Sequence, residues 1–181
     1  KYVCTTNKNN ENKKLIFAVE NPGYEKTESI ISDNGAIVKK INLDKDGISV
    51  KEINETEIDC VYCTPSHEYP MGITMPISRR SELLSWAYEL SNYDIKYDTK
   101  NMTNCRFIIE DDYDSDYRYQ GNSIPALQGF DTKDCVLYIG TFSRSLSPSM
   151  RVGYLVLPKR LMKVFCQDLS YYSNTVSRIE Q

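Results

Sequence analysis

Short β-branched or apolar runs recur along the chain at Leu15 to Val19, Ala36 to Ile41, Cys60 to Thr64, Arg106 to Ile109, Val136 to Ile139 and Tyr154 to Leu157. Runs this short, continuous rather than alternating, predict strands covered on both faces. Between them lie helix-length stretches. Over Ser78 to Tyr93, Leu83, Leu84, Ala87 and Leu90 form one stripe, with Ser78 as the expected cap and Glu82 in the first turn. Further helices are expected over about Tyr24 to Asp33, after the Asn21-Pro22-Gly23 turn, and over Lys159 to Tyr172, with another turn at Asp44 to Gly47. Strand, helix, strand alternation predicts an α/β fold: a mostly parallel mixed sheet with helices on both faces. Two polar stretches, residues 5–14 and 93–104, are read as exposed loop insertions in a single, partial domain spanning residues 1–181.

With 40% hydrophobic and 26% charged residues, the 181-residue chain has the composition of a globular domain, not of a collagen-like or disordered protein. Its net charge of −3 gives it no electrostatic reason to hold nucleic acid itself. No apolar run approaches the roughly 18 residues of a membrane span, and no secretory leader is visible, so a cytoplasmic location is expected. The absence of an initiator Met and the abrupt ends lead us to expect a fragment. Six cysteines are too sparse for a disulfide scaffold. Cys60 and Cys63 form a CxxC, but inside an extended segment their side chains point to opposite faces, which favours two core thiols over a metal or redox pair.

In parallel sheets ligands bind beyond the carboxyl ends of the strands. Polar residues gather after three of the runs, at Pro65 to Gly72, Glu110 to Tyr117 and Gly140 to Pro148. The acidic cluster admits three readings: a divalent-cation site through Asp112, Asp114 and Asp116, a solvated loop, or a carboxylate aimed into a cleft. For the last, Asp111 is the choice, as the first acid clearly past the core strand. The stretch Gly140-Thr141-Phe142-Ser143-Arg144, with Arg151 beyond it, is either a phosphate site or an exposed Ser/Arg loop.

The strings VENPGY (19–24), TPSHEYPMGITMPISRR (64–80), FIIEDDYDSDYRY (107–119), PALQG (125–129) and YIGTFSRSLSPSMRVGYLVLP (138–158) carry a family resemblance. They look like the MocR/GabR subfamily of GntR-type bacterial transcriptional regulators. Those proteins join an N-terminal winged helix-turn-helix to a fold-type-I aminotransferase-like domain that holds pyridoxal 5'-phosphate (PLP). The resemblance covers about Leu15 to Pro158 and corresponds to part of the large domain. The family's DNA-binding domain, glycine-rich phosphate loop and C-terminal small domain have no counterpart in this chain.

By that resemblance Asp111 matches the aspartate on the pyridinium nitrogen, Tyr113 the tyrosine near the ring 3-hydroxyl, and Tyr24 the aromatic against the ring face. His67 falls in the segment lining the other side of the cofactor, where a structural role is read ahead of proton transfer. Thr141, Ser143 and Arg151 match the phosphate-binding set. Arg144 occupies the position of the Schiff-base lysine, 33 residues beyond Asp111. A guanidinium stays protonated and delocalised, so it cannot form an imine or shuttle protons.

The resemblance therefore implies a ligand-sensing effector domain without covalent cofactor attachment or normal transamination, with PLP held weakly or not at all. It implies an amine or amino-acid effector, contact with DNA only through another domain, and a homodimer of the whole protein. The alternatives are a PLP-dependent aminotransferase and a cofactor-free dimerisation scaffold.

Overall fold

The computed structural model describes residues 14–90, 105–114, 124–172 and 176. Both expected loop insertions lie outside the described residues apart from Lys14, as does Asp116. The strands are β1 (Ile16–Asn21), β2 (Ile37–Asp44), β3 (Gly47–Ile48), β4 (Cys60–Cys63), β5 (Phe107–Asp112), β6 (Val136–Thr141) and β7 (Gly153–Val156). The helices are α1 (Glu25–Asp33), α2 (Val50–Asn54), α3 (Ile77–Glu89), α4 (Leu127–Phe130) and α5 (Lys159–Asp168).

The strands form one seven-stranded sheet in the order β3-β2-β1-β4-β5-β6-β7. β2, β1, β4, β5 and β6 run parallel, while β3 and β7 are antiparallel edges. Side chains alternate between two cores, as the pleat requires. Ala18, Val61, Cys63, Ile108 and Val136 face α2, α3 and α4. Phe17, Val19, Tyr62, Phe107 and Leu137 face α1 and α5, through Ile31 and Leu161. Helices thus cover both faces, which explains why the strands read as continuous apolar runs. Cys60 and Cys63 fall in opposite cores, as the strand reading of CxxC requires.

Several boundaries differ from expectation. Pro76, not Ser78, is the N-cap of α3, and it makes no side-chain capping bond; proline's fixed φ suits a helix entrance. The stripe of α3 buries Arg80 and Trp86 with Leu83, Leu84 and Ala87, whereas Leu90 is half exposed at its end. α5 stops at Asp168, four residues early, and Cys166 on it is exposed. The Asp44 to Gly47 turn closes a hairpin between β2 and β3, and the short helices α2 and α4 were not anticipated.

β5 and β6 run further than their apolar cores. The acids Glu110, Asp111 and Asp112 belong to β5 itself, so Asp111 lies within the strand rather than past it. Parallel pairing to β4 and β6 continues through these acids because their backbone N–H and C=O groups still need partners.

Candidate functional site

Chain progression reverses between β1 and β4, the neighbours from which the sheet grows in both directions. Such a switch point opens a crevice at the carboxyl strand ends. β1 leaves it through Pro22 and Gly23. A Cβ on Gly23 would lie 2.4 Å from the Glu20 carbonyl oxygen, so only glycine permits this close turn. The turn starts α1 and sets Tyr24 on the rim, where its ring meets that of Tyr69 edge-on at 6.0 Å.

On β5 three successive acids take three different partners. Glu110, fully buried, accepts from the backbone N–H groups of Leu127 (2.8 Å) and Gln128 (2.9 Å) at the start of α4, with Arg80 3.7 Å away. Asp112 accepts from the Tyr138 hydroxyl at 2.6 Å. Asp111 points the other way and accepts from the Tyr62 hydroxyl on β4 through Oδ2. Burial holds the Asp111 carboxyl above the usual carboxylate range; the Tyr62 hydrogen bond opposes this and the neighbouring Asp112 adds to it. Glu110, Asp111 and Asp112 are thus partnered strand residues rather than a solvated loop. Of the three acids of the cation reading, Asp112 serves Tyr138 and Asp114 lies 2.7 Å from His67 Nδ1, while Asp116 lies outside the described residues.

The segments after β4 and β5 are tied together. The rings of His67 and Tyr113 stack with centroids 6.1 Å apart, and the Tyr113 hydroxyl donates to the His67 carbonyl at 2.8 Å. Burial, with Asp114 adding and Arg144 opposing, pushes the Tyr113 phenol up to about 12, so it remains a neutral donor at neutral pH. The Arg144 guanidinium carbon lies 5.9 Å from the Tyr113 ring centroid. His67, Asp111, Tyr113 and Arg144 therefore come to one end of the sheet.

Thr141 ends β6, and Ser143 and Arg151 lie on the loop joining β6 to β7. The Thr141 hydroxyl donates to the Val152 carbonyl and accepts from the Ser143 N–H, both at 3.1 Å, so these groups brace the loop. Arg151 adopts a left-handed backbone (φ 53°), a conformation costing about 1–2 kcal/mol in a non-glycine residue. It is exposed and makes no hydrogen bond or ion pair among the described residues.

Four residues absent from the sequence reading complete the site: Glu20, Tyr62, Thr64 and Tyr69. Tyr62 read as core, yet its parity with Asp111 follows from the register, since it pairs with Ile109, two residues before Asp111 on the same face. Glu20, only 6% exposed, accepts from the Thr64 N–H (3.1 Å) and hydroxyl (2.7 Å) through Oε2, while Oε1 has no partner among the described residues. Burial raises its carboxyl to about 7, with Glu68 and Asp111 adding. A crevice of about 130 Å3 runs along β1 and β4 against Glu20, Tyr24, Thr27, Tyr62, Thr64 and Tyr69.

The fold is that of the fold-type-I aminotransferases. The crystal structure of Pyrococcus horikoshii kynurenine aminotransferase, in complex with PMP, is similar with a TM-score of 0.71 and 28% identity, over 87% of this chain and 39% of that one. Within this class the resemblance to the MocR/GabR-type regulators holds over most of the chain. The HTH-type transcriptional regulator YdeL of Bacillus subtilis is 42% identical over 163 residues, which is 90% of this chain and 32% of YdeL. The probable rhizopine catabolism regulatory protein MocR of Rhizobium meliloti is 33% identical over 155 residues, 86% of this chain and 29% of MocR. The chain thus spans about a third of the length of these curated relatives. A comparison with protein-family models gives no match.

Proposed function

We propose that the chain is the effector-sensing domain of a bacterial MocR-type transcriptional regulator, binding PLP without covalent attachment and responding to an amine or amino acid. The observation that supports this reading is the Arg144 guanidinium 5.9 Å from the Tyr113 ring, with Asp111 held by Tyr62 at the same end of the sheet; by the resemblance Arg144 stands for the Schiff-base lysine and Asp111 and Tyr113 for ring partners. The residues suit a non-covalently held pyridine ring. Asp111 has one oxygen engaged by Tyr62 and takes no hydrogen bond from the described residues on the other, leaving an acceptor for a ring nitrogen. Tyr24 offers a half-exposed ring face, and Arg151 an exposed guanidinium fork suited to a phosphate. Bound in this way, the cofactor would supply an electrophilic aldehyde and an electron-withdrawing ring.

The chain's own residues do the rest. Asp111 would keep the ring nitrogen protonated, Tyr113, whose hydroxyl donates to the His67 carbonyl, would hold that segment beside the ring, and Arg144 would add positive charge where an amine nucleophile is required. Such a site binds but does not exchange amino groups. The complete regulator would work by population shift, with effector chemistry at this site changing the balance of two domain arrangements and hence DNA affinity in the attached domain. As a regulator it would act in the cytoplasm, as a homodimer.

Visible-absorption titration of this chain with PLP, beside Arg144→Lys and followed by borohydride, tests the reading. We expect saturable binding in both proteins and a reducible imine in the lysine variant only. Absence of binding in both leaves the cofactor-free scaffold as the reading. In the complete protein, a DNA affinity that PLP and candidate amines leave unchanged would remove the regulatory role, and sedimentation showing only monomer would remove the dimer.

A further inference from the structure

We propose that the crevice between β1 and β4 is a binding site for a primary ammonium group, with the Glu20 carboxylate as counter-ion and Tyr24, Tyr62 and Tyr69 forming its wall. The inference goes beyond the PLP reading and stands without a bound cofactor.

Three observations carry it. Glu20 is more than nine-tenths buried, yet only Oε2 is satisfied, by the two Thr64 donors; Oε1 is an acceptor without a partner. A buried polar atom in this state is costly, and a donor supplied from outside removes the cost. Second, Glu20 forms part of the wall of a crevice of about 130 Å3, roughly four times the volume share of a water molecule. Third, the wall suits positive charge. Tyrosine faces attract cations, and Glu25 and Glu28 sit in the first turn of α1, offsetting the positive end of that helix. Lys40, the cation in the wall, is engaged by Glu28 at 2.9 Å.

A slim –CH2–NH3+ end fits this space better than a planar guanidinium or a quaternary ammonium. It enters between Tyr24 and Tyr69, which are each about half exposed and touch only edge to face. The ammonium then donates to Glu20 Oε1 and to tyrosine hydroxyl oxygens, while its alkyl stem lies against the rings.

The acids that act on Glu20 are Glu68, on the segment after β4, and Asp111 on β5. Around the crevice stand Glu25, Glu28 and Lys40. Glu20 itself changes charge at about 7. Ammonium binding requires the ionised form, so its affinity rises with pH across that value.

The experiment is an NMR titration of the cofactor-free chain, carrying 13C-carboxyl glutamate, with n-butylammonium chloride at constant ionic strength. 1-Butanol is the neutral control, and the series is run at pH 6 and pH 8. We expect a saturable shift of the Glu20 resonance and an affinity about tenfold higher at pH 8, as the ionised fraction rises from about a tenth to about nine-tenths. Glu20→Gln should bind at least about tenfold more weakly at pH 8 and lose the pH dependence. The inference is overturned by equal binding of 1-butanol, by a pH-independent affinity, by unaltered binding in Glu20→Gln, or by no saturable shift at all. If Glu20→Gln does not fold, the wild-type pH series and the butanol control decide. Because PLP is absent, failure here leaves the cofactor reading standing, and failure of PLP to bind leaves this one standing.

Discussion

Tyr62 and Asp111, on adjacent parallel strands, share a hydrogen bond that points one carboxylate oxygen into the strand-end site and ties down the other. Among the described residues it is the one hydrogen bond made by the Asp111 carboxylate. Removing it in Tyr62→Phe leaves a partly buried carboxylate without its stabilising donor. A hydrogen bond to a charged group is worth about 1.5–3 kcal/mol, so the Asp111 pKa should rise by about one to two pH units. Carboxyl 13C NMR across a pH series measures this directly. An unchanged titration would show that the bond does not govern the acid.

Glu20 gives the fold a pH dependence of definite sign. Its carboxyl titrates at about 7 in the folded chain against an ordinary value of 4.5. Between these values the folded state keeps a proton that the unfolded state releases, so stability falls as pH rises from about 4.5 to about 7, by on the order of 3 kcal/mol. Burial raises Glu68, Glu110 and Asp111 in the same sense. In urea unfolding at pH 5 and pH 7.5, Glu20→Gln should lack the Glu20 share of this fall. Parallel losses in variant and wild type would contradict the assignment.

Arg80 is a fully buried cation spent on structure. It donates to the carbonyls of Met75 (3.0 Å), Pro125 (2.9 Å) and Pro65 (2.9 Å) and stands 3.7 Å from buried Glu110. Arg80→Met would strand three carbonyls and a carboxylate, at a cost of about 3–5 kcal/mol. Equilibrium denaturation will measure it; a loss below about 1 kcal/mol would mean that water replaces the guanidinium.

Gly140 and Tyr154 are directly paired across the antiparallel strands β6 and β7, with the Tyr154 ring over the glycine. A Cβ on Gly140 would come 2.3 Å from Tyr154 Cζ. The ring is at the edge of the sheet and can swing away, so Gly140→Ala should cost only about 1–2 kcal/mol. In a double-mutant cycle Tyr154→Ala should recover most of that loss. Additive effects would show that the clash lies elsewhere.

The parallel sheet and its helices on both faces were legible because each strand is buried twice over and therefore reads as an apolar run. Where polarity enters a strand, the reading stopped short. Glu110, Asp111 and Asp112 were placed past the strand, with three readings open, because their partners are Leu127 and Gln128, Tyr62, and Tyr138, which no local pattern reveals. Pro76 displaced Ser78 as the cap of α3 because the fixed φ of proline outweighs a hydroxyl that finds no amide to accept from. Glu20 passed unnoticed between apolar Val19 and the Asn21-Pro22-Gly23 turn, since its role depends on Thr64, 44 residues later.

That separation bears on how the site comes into being. Glu20 with Thr64, Tyr62 with Asp111 and His67 with Asp114 bridge sequence gaps of 44, 49 and 47 residues. No short peptide cut from the chain can carry these pairs, and none forms before strands far apart in sequence pair, β1 with β4 or β4 with β5. A small molecule held there is consequently a guest of the native state alone. It should delay thermal unfolding of the entire sheet in proportion to the logarithm of its concentration, making the melting temperature itself a gauge of occupancy.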